Sequence, residues 1–356
     1  MSVLRVAVAD DSSFIRKAVT RVLAAEPDIE LVGSASRGEE LLASFDLWAP
    51  DAVILDLSMP GLSGLETLDA IMARRPTPVI ILSTHSKRGA PQTIEALHRG
   101  AMDFIDKQQY SLVDFDALRT VLTEKIREVA GRPVPAPRGG EAPVPEPSCP
   151  EAAAPSPVPS ERPAILLIGA STGGPPAIES ILRSLGPDVP APVAVVQHMP
   201  AGFTRAFAER LNNHLPFEVR EAVDGDLLLP GRVTIAPGGI HLRVGERQGR
   251  LHASLSTRPE RALHRPSVDV LFHSAEETVQ GRVVAVLLTG MGQDGAEGMA
   301  ALARAGAHTI AQDEATSIIY GMPRAAVAAG GVRETLPLPE IGARLRQLLT
   351  QPEERR

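Results

Sequence analysis

The amino-acid sequence predicts two α/β domains with mostly parallel sheets, joined by a proline-rich linker. The chain has 356 residues, which suits about two domains at the usual ~150 residues each. Short apolar runs alternate with helical patterns before residue 130 and again after residue 163, as in βα repeats. Between Gly131 and Pro163 lie 11 of the 32 prolines, and no run there has the composition of a core.

Composition also predicts the boundaries of these parts and the environment of the protein. We expect an N-terminal domain at 1–130, a linker at 131–163, a C-terminal domain at 164–350 and a polar tail at 351–356. The single cysteine lies in the linker, which excludes an intrachain disulfide and fits the reducing cytoplasm. No run reaches the ~18 apolar residues of a membrane-spanning helix. The net charge of -7 disfavours a nucleic-acid-binding output.

Five apolar runs in the N-terminal domain predict the strands of a parallel sheet, because helical patterns separate them. The runs are 4–9, 31–34, 52–55, 79–82 and 104–105, of which 31–34 is the weakest.

Charged and hydroxyl side chains follow these strands at the point where each strand ends. Asp10 and Asp11 come after the first run, and Asp56 comes after the third. Ser83 follows the fourth run, and Lys107 follows the fifth. Three carboxylates at one sheet edge repel one another unless they hold a hard cation, for which Mg²⁺ is suited. Such a site predicts phosphoryl transfer to Asp56, with Mg²⁺ and Lys107 neutralising the charge and Ser83 contacting the phosphoryl oxygens.

In the C-terminal domain, the run 165–168 leads into Gly-Ala-Ser-Thr-Gly-Gly, which places Ser171 on a glycine turn before a helix. A G-x-S-x-G turn of this kind exposes a nucleophilic serine at the carboxyl edge of a sheet. The same turn also suits anion binding by backbone N–H groups at a helix N-terminus. The turn alone leaves both interpretations open.

Two further strand ends favour the nucleophile. His198 directly follows the apolar run 192–197, and Asp294 lies on the loop after a third apolar run. Because the carboxyl ends of parallel strands meet at one edge, these side chains can converge on the serine. Ser171 would then attack an acyl carbon, His198 would move the proton, and Asp294 would orient the imidazole.

Other residues are candidates for the border of this site. Backbone amides near Thr172 or Met291 would hold the oxyanion that acyl transfer forms. His241, after the turn at 237–239, is a lesser candidate for lining the site. The other histidines, His264 among them, lack metal-ligand spacing, and most of them are expected on the surface or in the core. The chain order Ser, His, Asp differs from that of α/β-hydrolases. Every lysine precedes the linker, which disfavours a Ser-Lys dyad.

A series of motifs connects these residues to known families. The motifs are IGASTGG, QHMP, APGGIHL, HRPSVDVLF and LTGMGQDG, preceded by Asp10-Asp11, Asp56, Ser83 and Lys107. Residues 163–349 resemble the catalytic domain of the CheB family of chemotaxis protein-glutamate methylesterases. Residues 3 to about 128 resemble a response-regulator receiver domain. The resemblance implies a flavodoxin-like (βα)5 receiver and a doubly wound, mostly parallel catalytic domain.

The resemblance assigns roles to individual residues. It implies a catalytic triad of Ser171, His198 and Asp294, bordered by Thr172, Met291 and His241. It implies that Asp56 accepts the phosphoryl group and that Phe104 joins Ser83 and Lys107 in the receiver switch. It implies Mg²⁺ in the receiver, contacted by Asp11, Asp56, the backbone carbonyl of Ser58 and, through water, Asp10. It implies no cofactor in the catalytic domain.

The resemblance also implies a substrate and a control. The substrate would be the γ-methyl ester of glutamate on the cytoplasmic helices of methyl-accepting chemoreceptors, with deamidation of glutamine by the same acyl chemistry. The histidine kinase CheA would phosphorylate the receiver, which covers the active site until then. Gln108 departs from the pattern, because receivers usually carry proline after this lysine, and it puts the placement of Lys107 in question.

Two other functions stay open. The first is a receiver-linked binding module, in which the turn at Ser171 would bind an anion and catalyse no reaction. The same esterase chemistry would also serve a sensory system other than flagellar chemotaxis. A serine-directed covalent probe separates the enzyme from the binding module, since a binding module has no reason to react at Ser171.

Overall fold

The structure, a computed structural model, describes residues 3–83, 89–107, 115–132, 134, 165–186, 188–279 and 282–350, without the side chains of 115–117. Most of the predicted linker, the predicted tail and Gln108 lie outside these residues. The described residues form α/β folds with mostly parallel sheets, which confirms the predicted fold class. Within the described ranges no helix combines the length and apolarity that crossing a bilayer requires.

Strands and helices alternate in the N-terminal domain. Its elements are β1 (Leu4–Ala9), α1 (Ser13–Leu23), β2 (Ile29–Ala35), α2 (Gly38–Trp48), β3 (Ala52–Asp56), α3 (Gly64–Arg74), β4 (Val79–Ser83), α4 (Gly89–His98), β5 (Asp103–Asp106) and α5 (Phe115–Val129). All strands are parallel, in the order β2-β1-β3-β4-β5. This is the flavodoxin-like order, in which the carboxyl ends of β1 and β3 lie side by side at the switch point.

Burial and capping explain these elements. Every residue of β3 and β4 is buried, because helices cover both faces of a parallel sheet. The hydroxyl of Ser12 accepts the Ile15 N–H at the start of α1. Ser63 and Glu66 form a capping box at the start of α3.

The C-terminal domain contains a second, larger sheet. Its elements are β6 (Ile165–Ala170), α6 (Gly174–Leu185), β7 (Val193–Gln197), α7 (Phe203–His214), β8 (Glu218–Glu221), β9 (Arg232–Ile235), β10 (His241–Arg247), β11 (Arg250–Ser256), α8 (Val268–Thr278), β12 (Val283–Leu287), α9 (Ala296–Arg304), β13 (His308–Gln312), α10 (Met322–Ala328), β14 (Glu334–Leu336) and α11 (Leu338–Thr350). In the described chain, the strand order is β14-β13-β12-β6-β7-β9-β8, all parallel. Strands β10 and β11 form a separate antiparallel hairpin.

Strand β6 lies between β7 and β12, and the strand order reverses there. In open α/β sheets, such a switch point forms a crevice outside the carboxyl ends of the strands. The loops after β6, β7 and β12 therefore border one crevice.

The two domains are in contact through α4 and β5 of the first domain. Helix α4 lies against α6 and α7. The rings of Phe104 in β5 and Phe203 in α7 have centroids 4.6 Å apart. One cluster of buried apolar side chains continues across this contact from the first domain into the second. The contact places β5 beside the crevice of the second sheet.

Candidate active site

The turn after β6 holds Ser171 at the carboxyl edge of the C-terminal sheet. The Ser171 N–H donates to the Thr289 carbonyl at 3.0 Å, and the Ser171 carbonyl accepts the Gln197 side-chain amide at 2.8 Å. Gly173 has a φ of +77°, a left-handed conformation that favours glycine. A Cβ at Gly290 would lie 2.7 Å from the Ser171 Cβ, so glycine is needed there as well. The serine is thus fixed by groups from both neighbouring strands.

His198 and Asp294 come from the ends of β7 and β12 and are in direct contact. His198 Nε2 lies 2.7 Å from Asp294 Oδ2, and the two side chains are only 8% and 12% exposed. His198 Nδ1 is buried and has no hydrogen-bond partner among the described residues. Because Nε2 donates its hydrogen to the carboxylate, Nδ1 is the ring atom left to accept a proton. The pair has the chemistry of a general base that acts through Nδ1.

Asp294 is held by four donors. Besides His198, it accepts the Ser267 hydroxyl at 2.8 Å and the N–H groups of Val268 and Asp269 at 2.7 and 3.1 Å. Burial opposes its ionisation. The hydrogen bond and charge of His198, with the bonds from Val268 and Ser267, outweigh burial and hold the pKa of Asp294 below its usual range. The carboxylate is therefore ionised and fixed in direction.

His264 and Ser267 are functional candidates that the sequence did not reveal. The His264 ring stacks on the His198 ring, with centroids 4.1 Å apart and planes inclined by 17°. Ser267 caps α8 and also bonds Asp294. His264 is an exception to the expectation that most of the other histidines lie on the surface or in the core, since it lines the site cavity. Both residues lie in the motif HRPSVDVLF, but their spacing from His198 gives no signal of contact.

Two of the three predicted border residues line the cavity that Ser171 lines, and the third does not. Thr172 and Met291 line the same cavity as Ser171. His241 is fully buried, does not line that cavity, and accepts the Ser267 N–H at 3.2 Å through its Nδ1. His241 thus supports a residue that supports Asp294. The oxyanion role of the Thr172 and Met291 backbone stays a prediction.

A cavity of about 670 Å³ lies between the two domains. From the C-terminal domain it is lined by residues that include Ser171, Thr172, His198, His264 and Met291. From the N-terminal domain it is lined by residues that include Asp103, Phe104, Asp106, Glu124 and Lys125. The N-terminal domain therefore forms one wall of the candidate active site.

One hydrogen bond crosses this cavity next to the nucleophile. The Thr172 hydroxyl donates to Asp103 Oδ2 at 2.5 Å, and both residues are buried. Lys125 of α5 also pairs with that carboxylate. The N-terminal domain thus holds the residue that directly follows Ser171.

A second group of contacts joins α4 to the C-terminal domain. Glu95 Oε2 lies 2.5 Å from Arg210 Nη1, and His98 Nδ1 lies 3.0 Å from Glu179 Oε2. Burial lowers the pKa of His98 to about 4, although the Glu179 charge acts in the opposite direction. His98 is therefore neutral at physiological pH while the domains are in contact.

Three aspartates of the N-terminal domain meet at its sheet edge, as predicted. One carboxylate oxygen from each of Asp10, Asp11 and Asp56 lies within 4.8 Å of the others. Lys107 Nζ lies 2.7 Å from Asp10 Oδ2 and 2.8 Å from Asp56 Oδ2. Burial raises the pKa of Asp10, against the opposing effect of Lys107. Lys107 therefore reaches both acidic groups.

Further predicted receiver residues surround this cluster. The Ser58 N–H donates to Asp56 Oδ1 at 3.2 Å, so this loop follows the carboxylate closely. The Ser83 hydroxyl accepts a hydrogen bond from Thr93 of α4 at 2.5 Å. Clustered carboxylate oxygens are hard ligands, and the group therefore fits the Mg²⁺ that the resemblance implies.

Family models match both parts of the chain. The model described as CheB methylesterase matches residues 166–345, and the model described as response regulator receiver domain matches residues 6–119. The chain belongs to the CheB methylesterase family. The predicted family is thus confirmed, and by this membership the protein is a hydrolase of carboxylic esters.

Relatives of the CheB methylesterase family match over nearly the whole chain. A Bordetella parapertussis protein named protein-glutamate methylesterase/protein-glutamine glutaminase is 41% identical over 97% of each chain. A Myxococcus xanthus protein of that name, numbered 1, is 44% identical over 97% of each chain. The crystal structure of the Thermotoga maritima CheB methylesterase catalytic domain has a TM-score of 0.51 and 38% identity, covering 52% of this chain and 98% of that chain.

Proposed function

We propose that this protein hydrolyses γ-methyl esters of glutamate residues and deamidates glutamine residues, with Ser171, His198 and Asp294 as its triad. The observation that carries the proposal is the 2.7 Å contact of Asp294 with His198, which lines the same cavity as Ser171. An anion-binding turn has no need of a buried imidazole–carboxylate pair beside it, whereas a serine nucleophile needs one. The names of the relatives support the substrate class.

The mechanism follows from the two ring nitrogens of His198. Ser171 Oγ attacks the γ-carbonyl carbon of the substrate while its proton passes to Nδ1 of His198. Asp294 stabilises the resulting imidazolium through Nε2–H. The C–O bond of the ester breaks, and methoxide leaves as methanol with the proton from Nδ1. Water then hydrolyses the acyl-enzyme by the same proton path, and for glutamine the leaving group is ammonia.

The substrate would lie on the cytoplasmic helices of methyl-accepting chemoreceptors, which places the enzyme in the cytoplasm. A protein substrate must bring its side chain to the crevice at β6, β7 and β12. In the contact described above, one wall of that crevice belongs to the N-terminal domain. We therefore assign this domain arrangement to the resting state.

Control would come from phosphorylation of Asp56 by the kinase CheA. A phosphoryl group on Asp56 competes for Lys107, which now pairs with Asp10 and Asp56. Lys107 directly follows β5, which also carries Phe104. A shift of Lys107 would therefore move β5 and weaken the contact of Phe104 with Phe203. Weakening of this contact favours separation of the domains.

The metal that supports this phosphorylation would be held by residues of the acidic cluster. They are Asp11, Asp56, the carbonyl of Ser58 and, through water, Asp10. When bound, Mg²⁺ neutralises charge on the transferred phosphoryl group. Lys107 supplies the second positive charge, and Ser83 contacts the phosphoryl oxygens.

The test is methanol release from membranes that contain methylated chemoreceptors, with full-length protein and Mg²⁺, before and after addition of acetyl phosphate. We expect release that increases with the phosphodonor. Asp56→Asn should keep the basal rate and lose the response to the donor. Retention of the response in that variant would show that another residue accepts the phosphoryl group.

Serine labelling separates the enzyme from a binding module. A fluorophosphonate probe should label the wild-type protein at Ser171 and leave Ser171→Ala unlabelled. No methanol release together with no labelling would refute the hydrolase. Methanol release that does not change when acetyl phosphate is added would be consistent with the triad. It would refute control by phosphorylation.

A further inference from the structure

The stack of His264 on His198 is a contact that no step of the proposed mechanism uses. The ring centroids lie 4.1 Å apart and the planes are inclined by only 17°, so the faces overlap. His264 belongs to the loop between β11 and α8, and the same loop ends at Ser267, which bonds Asp294. One loop thus contacts both His198 and Asp294.

His198 needs a restraint beyond its hydrogen bond. Its Nε2 is anchored to Asp294 at 2.7 Å, while Nδ1 has no hydrogen-bond partner among the described residues. A ring held at one atom can still tilt about that bond, and a tilt moves Nδ1 away from the serine. A flat ring packed on the face of the imidazole opposes such a tilt.

The charge of His264 suits this contact. Burial, followed by the nearby charge of His198, lowers its pKa to about 4, against the opposite effect of Asp294. Lys125 of α5 acts in the lowering direction as well. His264 is therefore neutral near pH 7, and a neutral aromatic face attracts a cation placed over it. A charged ring would instead repel the imidazolium that forms during acyl transfer.

We propose that His264 is a positioning residue for the general base: its ring holds the plane of His198 and stabilises the His198 imidazolium. The proposal rests on the proposed function, because it assumes that His198 takes the serine proton. His264 does not itself take that proton. In the described part of the chain it has no carboxylate partner of the kind that His198 has in Asp294.

The experiment compares His264→Ala and His264→Phe in the full-length protein. Alanine removes the ring, whereas phenylalanine keeps a neutral aromatic face without a titrating nitrogen. Methanol release is measured between pH 5.5 and 8.5 to obtain kcat and KM, and the rate of Ser171 labelling is measured over the same range. Thermal unfolding of each variant reports folding. Arg261→Ala, an exposed change in the same loop, is the matched control.

We expect His264→Ala to lower kcat by about tenfold with little change in KM, since the lost contact acts in the transition state. The midpoint of the acidic limb of its pH profile should move down by roughly half a unit, because the imidazolium loses support. His264→Phe should recover most of kcat and the midpoint. Arg261→Ala should keep the wild-type midpoint.

Two results would overturn the proposal. One is a wild-type rate and midpoint in His264→Ala. The other is an equal loss in the alanine and phenylalanine variants, which would mean that the ring face is not what matters. Absence of methanol release from the wild-type protein would instead refute the proposed function. The labelling rate of Ser171 would then still test the effect of His264 on the base.

Discussion

Asp294 illustrates how a single residue is prepared for one role. Two of its four donors are backbone N–H groups at the start of α8, where the helix dipole also favours a negative charge. Because these backbone N–H groups hold the carboxylate in place, it does not move with the His198 ring. This arrangement selects the tautomer with hydrogen on Nε2 and leaves Nδ1 as the ring nitrogen that can accept a proton.

Asp294→Asn should therefore reduce kcat by about 10⁴, because an amide can present its NH₂ group to Nε2 and favour the wrong tautomer. Ser171→Ala should reduce kcat by on the order of 10⁶. Both are measured as methanol release from methylated receptor membranes. Thermal unfolding near the wild-type midpoint is the control for folding. A loss below tenfold in either variant would remove that residue from the triad.

Asp269 is a second, half-buried carboxyl group beside Asp294. Burial raises its pKa to about 6, against the N–H of Gly298, and the Asp294 charge adds to the increase. A group whose pKa is raised in the folded state contributes stability at low pH, and this contribution is lost as pH increases through the folded pKa. Between pH 4 and 7, ionisation of Asp269 therefore destabilises the fold.

Asp269→Asn should make the protein more stable than wild type at pH 7, with a difference that shrinks toward pH 4. The amide oxygen can still accept the Gly298 N–H, which Asp269 accepts at 2.7 Å. The measurement is the midpoint of thermal unfolding as a function of pH. Asp188→Asn, at an exposed position, should show no such trend. A variant that is equally destabilised at every pH would contradict this assignment.

At the level of elements, the strand ends could be predicted from the sequence and the loops could not. Apolar runs identified β6, β7 and β12, and parallel pairing at a switch point explains why Ser171, His198 and Asp294 follow adjacent strands. The loop between β11 and α8 has no periodic pattern. Its path, and hence the stack of His264, depends on tertiary contacts that a local pattern does not contain.

The β12–α9 loop sets the space available to the serine. A Cβ at Gly290 would meet the Ser171 Cβ at 2.7 Å and Met322 Sδ at 2.3 Å. Gly290→Ala should therefore destabilise the protein by about 1–3 kcal/mol and slow labelling of Ser171. Gly292→Ala is the control, since a Cβ there meets nothing within 4 Å and only its φ of +80° is strained. Equal labelling rates in the two variants would contradict the steric role of Gly290.

At the level of the whole molecule, the sequence predicted both domains but not their contact surface. From the sequence, Glu95 and His98 of α4 have the pattern of ordinary polar positions on an amphipathic helix. Their spacing does not indicate that their partners lie more than 80 residues away in the chain. Phe104 was predicted as a switch residue, whereas its packing on Phe203 requires the tertiary structure.

The ion pair between Glu95 and Arg210 offers a test of the proposed resting state, because neither residue belongs to the candidate active site or to the acidic cluster. Arg210 is 21% exposed and lies on α7, and its loss removes a 2.5 Å contact to the N-terminal domain. Arg210→Ala should raise methanol release in the absence of phosphodonor by roughly fivefold, as expected for a contact of about 1 kcal/mol. The rate at saturating acetyl phosphate should stay at the wild-type level.

Two comparisons make this prediction specific to the domain contact. Glu95→Ala should give the same increase, and the double variant should show no further increase, because each change removes the same ion pair between the domains. Arg205→Ala is the matched control, since Arg205 lies on the same helix but pairs with Glu209 of that helix. If Arg205→Ala raises the basal rate as much as Arg210→Ala does, the effect belongs to helix α7 itself. Domain separation would then need another cause.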